Sequence, residues 1–559
     1  GHSRNTRDLL KVYGLYDELI AGGMVDLPVY ENFDRDNNLP ESFGWSRTWN
    51  TRVQQRLKQI IAQKPAAYWV EQLTAVGVPA GIHLSADDWL HTAETAAAAL
   101  TVEVNDPDFG CVKQPGVQAW LAGTDAALMQ PDPVQDVEVA ELLAEWQDPP
   151  QYQDAAEDKG PARKRARTNS APGQQILEGV RVLDLSNVLA GPASARTLAE
   201  YGAEVIKIDP TDPKFGPKIA CYFPIEVSPG KRSIILDLKT SAGRHIFYQL
   251  VKTADVVVHN FRPGVAERLG IDCEQLQALK PGLIYVHLTA FNGPRPGPWM
   301  KRPGFDPLLQ ATTGIQMRYG GEGKQPLPHG WASCVDYMAG YSATFGAALA
   351  LFQQRRCKDS TGKQVTTSLA QGAQLVQMPL LVATEAQHPG SEPQGQDAVG
   401  ERALHRIYRA ADGWLFLAGL PGEQVRLRDV PGLRLPTSAC EDDRLLADAL
   451  EEGFSTQPVD AWVPALQQAG LGAHRVDSLV EIAQRFRHTG NTAELQANWD
   501  DGRSLSWVCF TDHPVGGSVE MAAPVYARFQ RARISLLSPA PKKGHHTRQL
   551  LEELGFRGD

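Results

Sequence analysis

Residues 180–208 read VRVLDLSNVLAGPASARTLAEYGAEVIKI, and this stretch decides the fold. Val180-Arg181-Val182-Leu183-Asp184-Leu185 alternates as a strand does, a Gly191-Pro192 turn follows, and residues 193–201 carry a helical pattern. Glu204-Val205-Ile206-Lys207-Ile208 is then a second strand. Strand, turn, helix and strand make a βαβ unit, whose two strands must run parallel. Working outward, β-branched runs recur at 233–236, 255–258 and 283–287, with helical stretches at 242–252 and 264–269. The expected class is therefore α/β, a Rossmann-like parallel sheet with crossover helices whose strand ends border a binding crevice.

Composition narrows the function. The chain has 559 residues, enough for three or four domains' worth of core, and its 42% hydrophobic content excludes disorder throughout. Basic residues number 55 against 65 acidic, a net charge of −10, which argues against a non-specific nucleic-acid binder. It leaves room for a phosphorylated ligand held by a local cationic cluster. The seven cysteines are scattered, without metal spacing, and fit a reducing compartment. The opening Gly1-His2-Ser3-Arg4 has no apolar signal region, and a cytoplasmic protein is expected.

The composition breaks once, at 147–175, where Pro, Gly and polar residues leave almost nothing to bury; this reads as a linker, and its Arg163-Lys164-Arg165-Ala166-Arg167 as a solvated charge run. A faint repeat flanks it. Residues 65–80 (PAAYWVEQLTAVGVPA) lie over 458–473 (PVDAWVPALQQAGLGA) without a gap, sharing Pro, Trp, Val, Leu, Gly and Ala at six places. That is a helix with Pro at its start, Trp and Leu one turn apart, and Gly at its C-terminal cap. Ser85 and Ser478 also coincide, each near the start of a further helical stretch.

The segment Pro328-His329-Gly330-Trp331-Ala332-Ser333-Cys334-Val335-Asp336 sets a carboxylate at the entrance to an apolar, small-residue helix. Asp336 has two readings there. It caps the helix and complements its dipole, or it is a nucleophile or base held where water is scarce. The Gly- and Ala-rich helix that follows lets backbone approach something closely, which favours the second.

At these residues the chain resembles the class III CoA-transferases, the family that includes carnitine CoA-transferase, formyl-CoA transferase and the α-methylacyl-CoA racemases. The resemblance runs from Leu177 to the C-terminus. It rests on residues 177–184, Ala190-Gly191-Pro192 with 202–208, residues 231–240, residues 254–264, Arg302-Pro303-Gly304-Phe305-Asp306, the Asp336 segment, residues 361–365 and Gly544-His545-His546-Thr547. It implies transfer of CoA from an acyl-CoA to a carboxylic acid through aspartyl anhydride and aspartyl-CoA thioester intermediates, with Asp336 as nucleophile. It also implies a CoA site at Asn187, Val188, Ala190, Leu236, Lys239, Asn260, Phe261 and Arg268, where Lys239 and Arg268 face phosphates and Phe261 the adenine. Coenzyme A is then substrate and product, the partners are acyl-CoA and a carboxylic acid, and no metal, nucleic acid or membrane is involved. The oligomer implied is a homodimer of interlocked rings, or a pseudo-dimer.

Three departures argue against formyl-CoA and oxalate as substrates: Leu189 replaces a glutamine, Pro210 an arginine, and the run of glycines is missing. The racemase branch has a histidine before the Asp of its Gly-His-Asp motif, where this chain has Phe305, and phenylalanine moves no proton. His329 and His259 are the candidates to replace it. Other readings are a catalytically silent acyl-CoA-binding protein and a tandem CoA-transferase/lyase acting on dimethylsulfoniopropionate.

The expected organisation is a partial small-domain-like segment without a nucleophile at 1–145, the linker at 146–175, and a CoA-binding large domain with the catalytic Asp at 176–385. A small α+β domain at 386–505 and a C-terminal return to the large domain at 506–559 complete it. The N-terminal segment is read as playing part of a partner's role within one chain, the alternatives being an inert remnant or a trimmed tandem protein.

Overall fold

The computed structural model describes residues 9–22, 47–122, 175–211, 222–329, 333–357, 361–384, 394–486, 507–510, 513–514, 517–522 and 538–556. The expected linker, Gln175 apart, and Gly330-Trp331-Ala332 lie outside these.

In chain order the strands are β1 (Thr101–Asp106), β2 (Gly110–Pro115), β3 (Trp120–Leu121), β4 (Arg181–Asp184), β5 (Glu204–Asp209) and β6 (Lys231–Ile235). There follow β7 (Val256–His259), β8 (Ile284–Thr289), β9 (Lys363–Ser368), β10 (Gly400–Arg402), β11 (His405–Arg409), β12 (Trp414–Ala418) and β13 (Gly472–Arg475). The central sheet has the order β3-β9-β8-β7-β4-β5-β6. From β4 to β9 every pairing is parallel. The exception is β3, which the N-terminal segment adds antiparallel to β9, with Trp120 opposite Thr366. The large sheet is thus mixed at one edge, and the N-terminal segment is part of it.

Helices cover both faces, so the strands are buried on both sides and read as runs rather than alternations: Val182 and Leu183, Val205 and Ile206, and Val256 through Val258 are all buried. The helix Cys334–Cys357 crosses one face, with Ala339, Ala343, Ala347 and Ala350 fully buried along it. Its glycine at 340 is required: a Cβ there would stand 2.6 Å from the Ala190 carbonyl oxygen, on the helix Ala190–Glu200. Small residues therefore let two helices pack with backbone almost in contact. A buried ion pair ties this layer to the sheet. The Lys231 ammonium donates at 2.8 Å to the Asp184 carboxylate and at 2.8 Å to the Pro192 carbonyl, joining β6, β4 and the first turn of Ala190–Glu200. Removing one partner would cost about 3–5 kcal/mol by stranding the other charge.

A second sheet, β10-β11-β12-β13, is antiparallel and packs on the helices Asp443–Phe454 and Val459–Gln468 around Tyr408, Leu415, Phe454 and Trp462. The helix Thr547–Glu553 lies on β6, where Glu553 pairs with Arg232 at 2.6 Å and the Ile235 N–H donates to the Thr547 hydroxyl at 3.2 Å. Among the described residues no helix is long and apolar enough to cross a membrane.

Candidate active site

The parallel strands end together on one edge of the central sheet, and a cavity of about 580 Å³ opens there. Chain order reverses between β4 and β7, which sit side by side although β5 and β6 intervene in sequence. Open α/β sheets bind ligands at such a switch point, because the loops leave in opposite directions and part the backbone. Here the loops are clamped to each other. The Asn187 N–H donates to the Asn260 side-chain oxygen at 2.9 Å, and the Asn260 amide returns a bond to the Asn187 carbonyl at 2.7 Å. Gly191 permits the fit, since a Cβ would meet Ser186 Cβ at 2.3 Å.

All nine residues singled out from the sequence line this one cavity: Asn187, Val188, Ala190, Leu236, Lys239, Asn260, Phe261, Arg268 and Asp336. Lys239 and Arg268 are exposed, as is Arg262, which the sequence reading passed over and which also lines the cavity. Phe261 is held on both sides of its peptide: its N–H donates to His259 Nδ1 at 3.3 Å, and His287 Nε2 meets its carbonyl at 2.9 Å. The two imidazoles stack at 4.3 Å, and burial keeps both below their ordinary pKa, hence neutral. Val188 is 54% exposed and sits at φ +69°, a left-handed conformation that a β-branched residue rarely adopts. Strain of about 1–3 kcal/mol is concentrated where the cavity opens, as is common at binding sites.

Asp336 lies in the first turn of Cys334–Cys357 and is 9% exposed. The structure decides against its capping role. The backbone N–H groups of Val335 and Asp336 are taken by Asp306, whose Oδ2 accepts them at 2.8 and 2.9 Å, and Gln310 donates to Asp306 Oδ1 at 2.5 Å. Asp306 therefore caps the helix from another part of the chain, and the Asp336 carboxyl, which receives no hydrogen bond among the described residues, is left to line the cavity. Burial first, and the charge of Asp306 second, hold that carboxyl well above the usual carboxylate range. A poorly solvated carboxylate, once ionised, is a stronger nucleophile than one in water. Sequence reasoning took Gly304-Phe305-Asp306 as part of a family motif and as an altered proton-transfer motif; the thirty residues between Asp306 and Asp336 hide a contact that only folding makes.

Another part of the wall comes from Leu288, Thr289, Met300, Arg302, Phe305 and Leu369, at or beyond the ends of β8 and β9. Neither His259 nor His329 lines the cavity: His259 is in the core, and the His329 N–H is bonded to Gln310 Oε1 at 2.9 Å. Leu189 is buried against Ala193 and Val227 and also lines the cavity, so it gives that stretch of wall an apolar side chain where a glutamine would give an amide.

Comparison with known proteins places this geometry. The sequence profile of CoA-transferase family III matches residues 22–137 and 177–547. The chain is 30% identical over 562 residues to the CoA-transferase/lyase DddD of Marinomonas sp. (strain MWYL1), covering 99% of this chain and 65% of that protein. It spans, then, about two thirds of the length of that relative. The succinyl-CoA:glutarate CoA-transferase of Mus musculus is 26% identical over 404 residues, which cover 68% of this chain and 86% of that protein. Among solved structures, a CAIB/BAIF family protein from Brucella suis superposes with a TM-score of 0.54 at 25% identity, over 68% of this chain and all of that one.

Proposed function

This chain belongs to CoA-transferase family III, and from that premise we propose that it transfers CoA from an acyl-CoA to a carboxylic acid, with Asp336 as the covalent nucleophile. One observation carries the reading: the Asp336 carboxyl stands in the cavity wall with its helix already capped by Asp306, so among the described residues no structural bond occupies it. The Asp336 oxygen attacks the thioester carbonyl, the C–S bond breaks, and CoA leaves as thiolate. The thiolate attacks the aspartyl carbonyl of the mixed anhydride, releasing the first acid as its carboxylate and leaving aspartyl-CoA thioester. The second acid repeats the two exchanges in reverse and regenerates the carboxylate. Charges balance at every step, and holding the partners side by side supplies up to ~7–11 kcal/mol against a bimolecular barrier.

The first turn of Ala190–Glu200 supports the tetrahedral oxyanions in this reading, since it lines the cavity and its start has no side-chain cap. Lys239, Arg268 and Arg262 hold the phosphates, Phe261 the adenine, and the clamped Asn187 and Asn260 with Val188, Ala190 and Leu236 the pantetheine arm. In this reading residues 176–385 with the return at 506–559 form the CoA-binding body, to which the N-terminal segment adds β3, 386–505 form the small domain, and the rest of 1–145 is a partial copy of it. The racemase reading lacks support, because no described residue lining the cavity is a histidine.

The test is trapping. Incubation with an acyl-CoA followed by hydroxylamine is expected to convert Asp336 to its hydroxamate, located by mass spectrometry, and Asp336→Asn is expected to abolish both trapping and exchange. Exchange that survives the substitution refutes the assignment. The pH profile has a defined sign: attack needs the ionised carboxyl, so trapping should rise with pH through a pKa above the usual range. Asp306→Asn removes the like charge and should move that rise to lower pH.

A further inference from the structure

A second cavity, of about 510 Å³, lies where the N-terminal segment meets the loop that follows β8. Its walls are largely apolar, with Val70, Ile82 and Leu84 on one side and Phe291 and Trp299 on the other. Arg302 lines this cavity and the Asp336 cavity alike. Its guanidinium stacks on the Trp299 ring, 4.4 Å from the centroid, and among the described residues it has no hydrogen bond and no carboxylate within 4.0 Å. A half-buried guanidinium whose fork of donors is unused is matched by a carboxylate, which it grips through two parallel bonds.

The N-terminal segment holds Arg302 in place. Glu94, 1% exposed in the helix Ala93–Ala97, accepts the Trp299 N–H at 2.6 Å, and its other oxygen has no partner. Gly297 lies so close that a Cβ would stand 2.4 Å from that oxygen. The loop is thus wrapped around Glu94, whose charge favours the protonated guanidinium against the burial that opposes it. Four residues after Arg302 comes Asp306, the cap of the Asp336 helix, whereas Lys239, Arg262 and Arg268 follow β6 and β7.

We propose that Arg302 binds the carboxylate of the acid substrate, that the second cavity takes the remainder of that acid, and that Glu94 is the positioning residue that aims Arg302. The substrate class is a monocarboxylic acid with a short apolar chain. This rests on the CoA-transfer reading, which requires an acid anion beside Asp336. The N-terminal segment is then a working wall of the site.

The experiment uses the full chain, with hexanoate as probe and CoA titrated separately by calorimetry. Hexanoate is expected to bind the wild-type protein, observed by saturation-transfer NMR, and 1-hexanol is expected not to displace it. Arg302→Ala should weaken hexanoate by roughly tenfold or more, Arg302→Lys should recover part of the loss, and Glu94→Gln should weaken it by less than Arg302→Ala, each with a smaller change in CoA affinity than in hexanoate affinity. Failure of hexanoate to bind the wild type, or equal binding by wild type, Arg302→Lys and Arg302→Ala, overturns the proposal. Failure of the wild type to bind CoA counts against the transfer reading by itself, whatever hexanoate does.

Discussion

Residues 65–85 and 458–478 are two versions of one local design, set in different surroundings. Each begins a helix after a proline, Ala66–Ala75 and Val459–Gln468. In each the indole N–H reaches back eight residues to a carbonyl, Trp69 to Ile61 at 3.0 Å and Trp462 to Phe454 at 2.9 Å. Each helix closes on a left-handed glycine, Gly77 at φ +78° and Gly470 at +82°. Each is followed by a serine paired with an acidic residue three positions on, Ser85 with Asp88 and Ser478 with Glu481. The fates diverge after the glycine. Residues 472–475 pair with β12, while Gly81 packs against Leu308 and Thr312, and the Leu84 N–H bonds to the Ala311 carbonyl. Trp462 is 1% exposed against Phe454, but Trp69 is only half-buried against Tyr13 and Tyr68. Capping is a short-range property carried by the repeat; burial and role depend on the partner surface.

The largest test of this contrast is the tryptophan. Trp462→Ala is expected to destabilise its domain by about 3–5 kcal/mol, and Trp69→Ala by roughly 1–2 kcal/mol, because a half-exposed ring leaves a smaller cavity. Equal losses in urea titrations followed by domain-specific probes would break the comparison. Next come the glycines. An alanine at φ near +80° costs about 1–2 kcal/mol at either site, but Gly470→Ala should lose slightly more, because its Cβ would push aside the Arg426 guanidinium that donates to the Gly470 carbonyl at 2.7 Å, while nothing stands within 4 Å at Gly77. The serines should be alike: Ser85→Ala and Ser478→Ala each cost about 1 kcal/mol or less, read as similar increases in amide exchange of the helix that follows.

The smallest effect is a slope with pH. Burial raises the Glu94 carboxyl above its ordinary range, so folding favours its neutral form. The stabilisation is complete below the unfolded carboxylate pKa and is lost as pH rises through the higher folded value. Exchange protection of residues 85–100 should therefore decline across that interval, and Glu94→Gln should flatten it. A slope unchanged by the substitution would detach Glu94 from the docking of this segment.

The βαβ unit at 180–208 was legible because strand and helix periods are local, and the observed elements differ from the expected ones by a few residues at their ends. The nine residues expected at the site come from ordered short motifs, and all of them line one cavity. Asp306 and Arg302 were quoted among those motifs without their roles. An aspartate that caps a helix thirty residues away looks like any other aspartate, and whether an arginine is held by a ring or by a carboxylate is a property of its surroundings.

By itself, the chain's order of residues determined which stretches become strands, where helices start and stop, and which side chains sit at loop positions after strands. Those outcomes follow from backbone sterics, capping and side-chain period, all acting over a few residues. Tertiary structure alone decided that Asp336 is relieved of capping by Asp306, that β3 joins the large sheet, and that Glu94 bonds the Trp299 backbone in the loop that carries Arg302. Desolvation and electrostatic pairing act through space, and a linear pattern carries no distance between residues it sets far apart.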